Sequence, residues 1–273
     1  MYLKCYGGPQ CLEEWLVENL YPLIRRWRGE QVFRLFHFVR YMDPDYHLRI
    51  RFLITKPDCL ATIVDEINRS MSQLAESERI WKMELCTYRP EIGRYGADRM
   101  PLVEEIFDHD SEFWLSVLHQ MGVEASTHIW KVAILSVHRL LDAFGADTSC
   151  RRDLLEGMRV SFAAEFGLNR SLKVQLDAKY RNDLPVIEQL MRQGFKQVEE
   201  ALSLRGRSLA EPVGKLGGTF PDQGSFLSSN VPKDLIHMSL NRGFRTQHRF
   251  QELVVYDFLS RYYQSLLVRD EKA

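Results

Sequence analysis

Nine consecutive residues, Tyr46-His47-Leu48-Arg49-Ile50-Arg51-Phe52-Leu53-Ile54, alternate polar and apolar up to Phe52. In a strand, successive side chains point to opposite faces. His47, Arg49 and Arg51 then share one face, and Leu48, Ile50 and Phe52 share the other. Guanidiniums two residues apart on a strand lie roughly 6.5–7 Å from each other, and they repel unless water or an anion stands between them. The solvated face of an antiparallel sheet gives the same alternation, and on pattern alone that reading leads. Arg is a weak strand former beside Thr or Val, and its planar fork grips a carboxylate or phosphate at two points. The competing reading is therefore a floor for an anionic group.

Two other stretches carry candidate chemistry. Tyr88 to Arg99 holds Glu91, Arg94, Tyr95 and Gly96. Glu91 and Arg94 form either a surface ion pair worth little or a second cationic contact beside the strand, and Gly96 marks a tight turn. In Asp234-Leu-Ile-His-Met-Ser-Leu-Asn-Arg, a helix stacks His237 on Asn241 at i, i+4, with Arg242 following. His237 is either a histidine bonded into the structure or a proton-transfer group titrating near working pH.

Weaker signals resolve more simply. Glu104, Glu105, Asp108, Asp110 and Glu112 suit the start of a helix and suggest a solvated acidic face rather than a metal site. Gly214-Lys215-Leu216-Gly217-Gly218-Thr219 fails the phosphate-loop test, because Leu209 stands where that loop needs its first Gly. It is expected to be part of an irregular, lid-like loop over Val213 to Ser229. No Ser-His-Asp or Cys-His signature appears.

The whole chain bounds these options. It has 273 residues, 45% hydrophobic, with a formal net charge of -1, so a substantial core is expected and bulk-charge binding of nucleic acid is not. No apolar run approaches the ~20 residues of a membrane span, and the N-terminus lacks signal-peptide anatomy. Cys5, Cys11, Cys59, Cys86 and Cys150 show no metal spacing and suit reduced thiols in a cytoplasmic protein.

The elements that must position the candidates follow in order. Tyr2–Tyr6 suits a strand that Gly7-Gly8-Pro9 ends. A helix follows, with Pro22 kinking or breaking it. Val32–Met42 and Tyr46–Ile54 make a hairpin around Asp43-Pro44-Asp45. Ile63, Ile67 and Met71 stripe a second helix, and Ile80–Tyr88 is a strand with Trp81, Met83 and Leu85 on one face. The order βαββαβ predicts an α+β, ferredoxin-like sheet half, with Leu48, Ile50 and Phe52 under its helices and His47, Arg49 and Arg51 on the open face. After a loop from Arg89 to Met100, every segment suggests helix, including one over Leu184–Leu204 and a last one striped by Phe250, Val254, Phe258, Tyr262 and Leu266. The division is expected near residue 100, with residues 101–273 a helical half covering the open sheet face and 1–273 forming a single domain.

Phe38-Val-Arg-Tyr-Met-Asp-Pro with Tyr46-His-Leu-Arg-Ile-Arg-Phe, then Tyr88-Arg-Pro-Glu-Ile-Gly-Arg-Tyr-Gly, Phe107-Asp-His-Asp-Ser, Ile236-His-Met-Ser-Leu-Asn-Arg and Glu252-Leu-Val-Val-Tyr-Asp-Phe-Leu-Ser-Arg-Tyr-Tyr form an ordered set. It resembles, over essentially the whole chain, the C-terminal domain of lantibiotic dehydratases, the thiopeptide-type bacteriocin biosynthesis proteins, in a stand-alone version. The resemblance implies glutamate elimination: a partner esterifies Ser or Thr of a ribosomally made precursor peptide from glutamyl-tRNA, and this domain expels glutamate to leave dehydroalanine or dehydrobutyrine. It implies elimination roles for Arg49, Arg51, Glu91, Arg94 and His237. Of these Arg49, Glu91, Arg94 and His237 are the candidate catalytic residues, and Arg51, with His47, Tyr88, Asn241 and Arg242 beside it in the same segments, is a candidate substrate contact. Ala97 departs from the second Gly common in the family.

The chemistry of the residues agrees with that implication. Elimination needs a base, a stabilised enolate and a grip on an anionic leaving group, which arginines and a histidine can supply. No metal or organic cofactor is required. The expected partners are the precursor peptide and a separate glutamylating subunit, with no membrane and no direct nucleic-acid contact; a homodimer is open. Two alternatives stand beside this. One is a pyridine synthase joining two dehydroalanines by formal [4+2] cycloaddition. The other is a non-catalytic subunit that binds a leader peptide by strand addition at an open sheet edge.

Overall fold

The structure, a computed structural model, describes residues 1–76, 79–167 and 169–270. It divides into two compact units: Met1–Gly122 with Asn241–Thr246, and Val123–Leu240 with Gln247–Ala273.

The first unit runs β1 (Tyr2–Gly7), α1 (Pro9–Trp15), a π turn (Leu16–Leu20), α2 (Tyr21–Gly29), β2 (Phe33–Met42), β3 (Tyr46–Ile54), α3 (Asp58–Glu76), β4 (Ile80–Cys86), α4 (Ile92–Tyr95) and α5 (Met100–Met121). The break expected from Pro22 takes the form of the π turn just before it. The four strands lie in the order β2-β3-β1-β4, every neighbouring pair antiparallel. Gly7 sits where β1 slips register against β4, and a Cβ there would stand 2.9 Å from the Arg79 carbonyl oxygen.

One face of the sheet is the core. Leu48, Ile50 and Phe52 are buried on it beside Phe36 and Phe38 of β2. Trp27 of α2 meets Phe52 edge-on with centroids 5.9 Å apart, and Trp15 of α1 donates to Ser70 of α3 at 3.0 Å, so these helices cover that face. The unit extends past the expected division near residue 100 because α5 is bonded along β2. Asp108 accepts from the Phe36 amide at 2.9 Å and Ser111 from the Phe38 amide at 3.3 Å.

The second unit is helical: α6 (Ala125–Ala143), α7 (Thr148–Glu165), α8 (Arg170–Gln193), α9 (Glu199–Gly217), α10 (Gln223–Ser228), most of α11 (Val231–Gly243), and α12 (His248–Asp270). Asp147, Asn169 and Asp222 cap the starts of α7, α8 and α10 by accepting backbone N–H groups.

Four local expectations are corrected. The helix expected over Leu184–Leu204 is two helices, because Gly194 adopts φ 70 and ends α8. The loop expected from Val213 is helical through Gly217: Leu202, Leu209, Val213 and Leu216 are buried at helical spacing, and that burial outweighs about 1 kcal/mol of lost propensity per glycine. The Arg89–Met100 loop contains the short α4. Of the stripe expected on α12 only Phe258 is buried, and burial instead wraps most of the helix from Glu252 to Ser260.

Candidate functional site

The β3 floor belongs to the first unit. Register sets Tyr41 and Tyr6 beside His47, Val39 and Lys4 beside Arg49, and His37 and Tyr2 beside Arg51. The Arg49 guanidinium lies 3.4 Å over the Tyr41 ring centroid, and its Nε donates to His47 Nε2 at 3.1 Å. His47 Nδ1 must then carry the proton it donates to the Asp45 carbonyl at 2.8 Å. Burial, opposed by that bond and supported by Arg49 and Lys4, holds His47 below the usual histidine range. This face is less open than expected: His47 is fully buried and both arginines are half-buried.

Arg51 lies between two rings, 5.0 Å from the Tyr2 centroid and 4.9 Å from that of Tyr88. Its Nη1 donates to His37 Nε2 at 3.2 Å. Burial, and then the charges of Arg51 and Arg242, keep His37 well below the usual value and neutral. The Arg51 Nε is buried with no hydrogen-bond partner among the described residues. A buried donor left this way is costly, and it is what a site shaped for an acceptor presents.

Tyr88 is fixed by donating to Glu104 at 2.6 Å. Glu91, which precedes α4, and Arg94 within it form an ion pair at 3.0 Å with both side chains exposed. Gly96 closes that turn at φ 87, a conformation that requires glycine.

Asn241 and Arg242 are structural in this geometry. The Asn241 side chain accepts from the Arg40 amide and donates to the Arg40 carbonyl, both at 2.9 Å. Arg242 is fully buried, its Nε donating to the Phe38 carbonyl and its Nη1 pairing with Asp110, both at 2.9 Å. Phe36, Phe38 and Arg40 are therefore held by side chains along the outer edge of β2. The acidic start of α5 is correspondingly not a solvated face. Asp108 and Asp110 are each 2% exposed and paired, Asp108 with Arg28 at 2.7 Å.

His237 belongs to the second unit, on α11. Its Nδ1 lies 2.7 Å from Oε2 of Glu252, which also accepts from Tyr256 at 2.8 Å. Glu252 is fully buried, so its carboxylate accepts from Nδ1, fixes the ring and leaves Nε2 turned away from it. Phe162 meets His237 edge-on at 6.1 Å. None of the candidate catalytic or substrate-binding residues lines the cavity of about 920 Å³ bounded in this unit by Arg152, Arg159, Asp177, Asp257 and Arg261, although Asp257, Ser260 and Arg261 of the Glu252–Tyr263 segment do. Among the described residues, no group of three or more His, Cys, Asp or Glu could hold a metal ion, and no helix is long and apolar enough to cross a membrane.

The sequence reading missed Glu252, Tyr2, Tyr41 and His37. The i, i+4 pair Glu252 and Tyr256 inside a run of apolar residues was the available signal for the first. The others follow only from strand register.

Comparisons with known proteins converge. The family model described as lantibiotic biosynthesis dehydratase C-term matches residues 1–263. The subtilin biosynthesis protein SpaB of Bacillus subtilis is 22% identical over 259 residues, 93% of this chain and 24% of SpaB, so the chain spans about a quarter of that relative. The tRNA-dependent lantibiotic dehydratase MibB from Microbispora shares the fold with a TM-score of 0.72 at 21% identity, covering 98% of this chain and 28% of MibB. TsrL shares it at 0.69 and 12% identity, over 97% of this chain and 94% of TsrL. The pyridine synthase TbtD from thiomuracin biosynthesis shares it at 0.60 and 14% identity, over 96% and 98%.

Proposed function

This chain belongs to the lantibiotic biosynthesis dehydratase C-terminal family, and from that premise we propose that it is a carbon–oxygen lyase. It eliminates glutamate from glutamylated Ser or Thr of a precursor peptide. A base takes the Cα proton, the Cβ–O bond breaks, and glutamate leaves as a carboxylate while Cα=Cβ forms. Arg49, Arg51 and Arg94 grip the leaving anion and stabilise charge as it develops. His237, held by Glu252, transfers the proton, and Glu91 orients Arg94 or moves a proton in turn.

The observation that carries this reading is the buried, unpartnered Nε of Arg51. It sits in a strand face where two guanidiniums are held by tyrosine rings and neutral histidines rather than by carboxylates. Guanidiniums whose immediate ring neighbours bring no counter-charge favour an incoming anion.

The sheet unit is ferredoxin-like in this reading, supported by the order β2-β3-β1-β4 with every pair antiparallel. Residues 1–273 act as one elimination-type domain, supported by a family match that runs through both units. The partners are the precursor peptide and a glutamylating subunit that draws on glutamyl-tRNA, which places the reaction in the cytoplasm.

The test is to incubate the protein with glutamylated precursor peptide and follow peptide mass. Loss of glutamate is expected, and His237→Ala and Arg94→Ala are each expected to leave glutamylated peptide accumulating. Reaction only with fully dehydrated peptide, closing a macrocycle, replaces the lyase by a cycloaddition enzyme. Binding without change makes the chain a scaffold.

A further inference from the structure

The two edges of the sheet are treated differently. The Phe52 amide donates to the Met1 carbonyl at 3.0 Å, and the Met1 amine donates to the Phe52 carbonyl at 2.8 Å. Odd-numbered residues of β1 therefore bond β3, and Tyr2, Lys4 and Tyr6 bond β4 through Cys86, Glu84 and Lys82. The same count makes Phe36, Phe38 and Arg40 the outward residues of β2, and these are the ones that Asp108, Ser111, Arg242 and Asn241 occupy. On β4 the outward residues are Trp81, Met83 and Leu85. Among the described residues, no side chain bonds their backbone groups. Trp81 is 55% and Leu85 61% exposed.

An uncovered edge with exposed apolar side chains is a template for another strand. A lysine on an edge ordinarily discourages pairing, but Lys82 is followed two residues on by Glu84, and the pair lies 2.7 Å apart on one face. The segment Trp81-Lys82-Met83-Glu84-Leu85 is complementary to its own antiparallel copy about Met83. Trp81 faces Leu85, Met83 faces Met83, and Lys82 faces Glu84, twice by symmetry. The backbone parity agrees: Trp81, Met83 and Leu85 become the hydrogen-bonded pairs. Lys82 and Glu84 become the non-bonded pairs, where opposed side chains approach most closely.

We propose that β4 pairs antiparallel with β4 of a second copy of this chain, about a two-fold axis at Met83, joining two four-stranded sheets into one. The interface is isologous, as a closed two-fold dimer requires.

Sedimentation equilibrium of the full chain over a concentration series tests this. The wild type is expected at twice the monomer mass. Lys82→Glu and Glu84→Lys each set like charges face to face at two symmetric positions, and each weakens association by about tenfold or more. Mixing the two single variants restores a dimer, because an acidic strand then meets a basic one. The double swap K82E/E84K also restores it. Met83→Pro removes an outward N–H while leaving the bonds to β1 in place, and it is expected to give a monomer with unchanged far-UV circular dichroism. A wild-type monomer at every concentration overturns the proposal. So does a dimer indifferent to the charge swaps, or a monomer that instead holds precursor peptide through Trp81 and Leu85.

Discussion

Asp110 and Arg242 offer a direct measure of what the Asn-Arg pair at the end of α11 does. Arg242 is fully buried, and burial pulls its guanidinium below the ordinary value while Asp110 pushes it back. At 2.9 Å and an effective dielectric of about 20, the gross attraction is about 6 kcal/mol, most of it offset by desolvation of the two ions. Removing one partner is therefore far worse than removing both. Asp110→Ala leaves a buried guanidinium without its carboxylate and is expected to cost about 3–5 kcal/mol. Arg242→Met leaves a 2% exposed carboxylate and also frees the Phe38 carbonyl, with a similar loss. The double variant leaves no buried charge unpaired and loses neutral contacts such as the Phe38 bond and the stacking of Arg242 on Phe107, about 1–3 kcal/mol, so the coupling energy is expected to be about 3 kcal/mol or more. Urea unfolding followed by tryptophan fluorescence is the assay, since Trp15, Trp27, Trp81 and Trp114 all lie in the first unit. Losses that simply add, or a single loss under about 1 kcal/mol, would refute the assignment of Arg242 to structure and reopen it as a substrate contact.

Gly243→Ala places a Cβ 2.5–2.8 Å from three ring carbons of Trp114 and should cost about 1–3 kcal/mol, partly recovered by Trp114→Phe; an unchanged urea midpoint contradicts this packing. His37 is kept neutral in the folded state below its unfolded pKa of about 6.5. The unfolded chain thus binds the extra proton, and stability falls as pH drops below about 6.5, by up to about 1.4 kcal/mol per pH unit from this residue. His37→Gln should flatten that slope between pH 6.5 and 5, and an identical slope in the variant removes His37 as its source. Glu252→Gln keeps shape but removes the charge holding His237. Glutamate release should slow, by less than the ~10²-fold low end expected for losing the imidazole itself, and unimpaired turnover separates Glu252 from the chemistry.

What the sequence made legible divides along a physical line. Strict alternation told which β3 side chains share a face, and the structure places Leu48, Ile50 and Phe52 in the core as that alternation requires. Alternation is a property of one strand. It does not say which residues of other strands stand opposite, so Tyr41 under Arg49, and Tyr2 and His37 beside Arg51, were invisible until the register was fixed. Those neighbours decide the chemistry. Aromatic faces and neutral imidazoles hold the guanidiniums apart without cancelling their charge, whereas carboxylates in the same places would have made ordinary ion pairs. Arg40 shows the converse. It shares parity with Phe36 and Phe38, lies on the apolar face, and is neutralised there by Glu13 at 2.7 Å, as a buried cation must be. The same pattern of arginines on adjacent strands therefore yields one cation committed to structure and two with spare capacity. The difference lies in partners contributed from α1 on one side and only from tyrosines and histidines on the other.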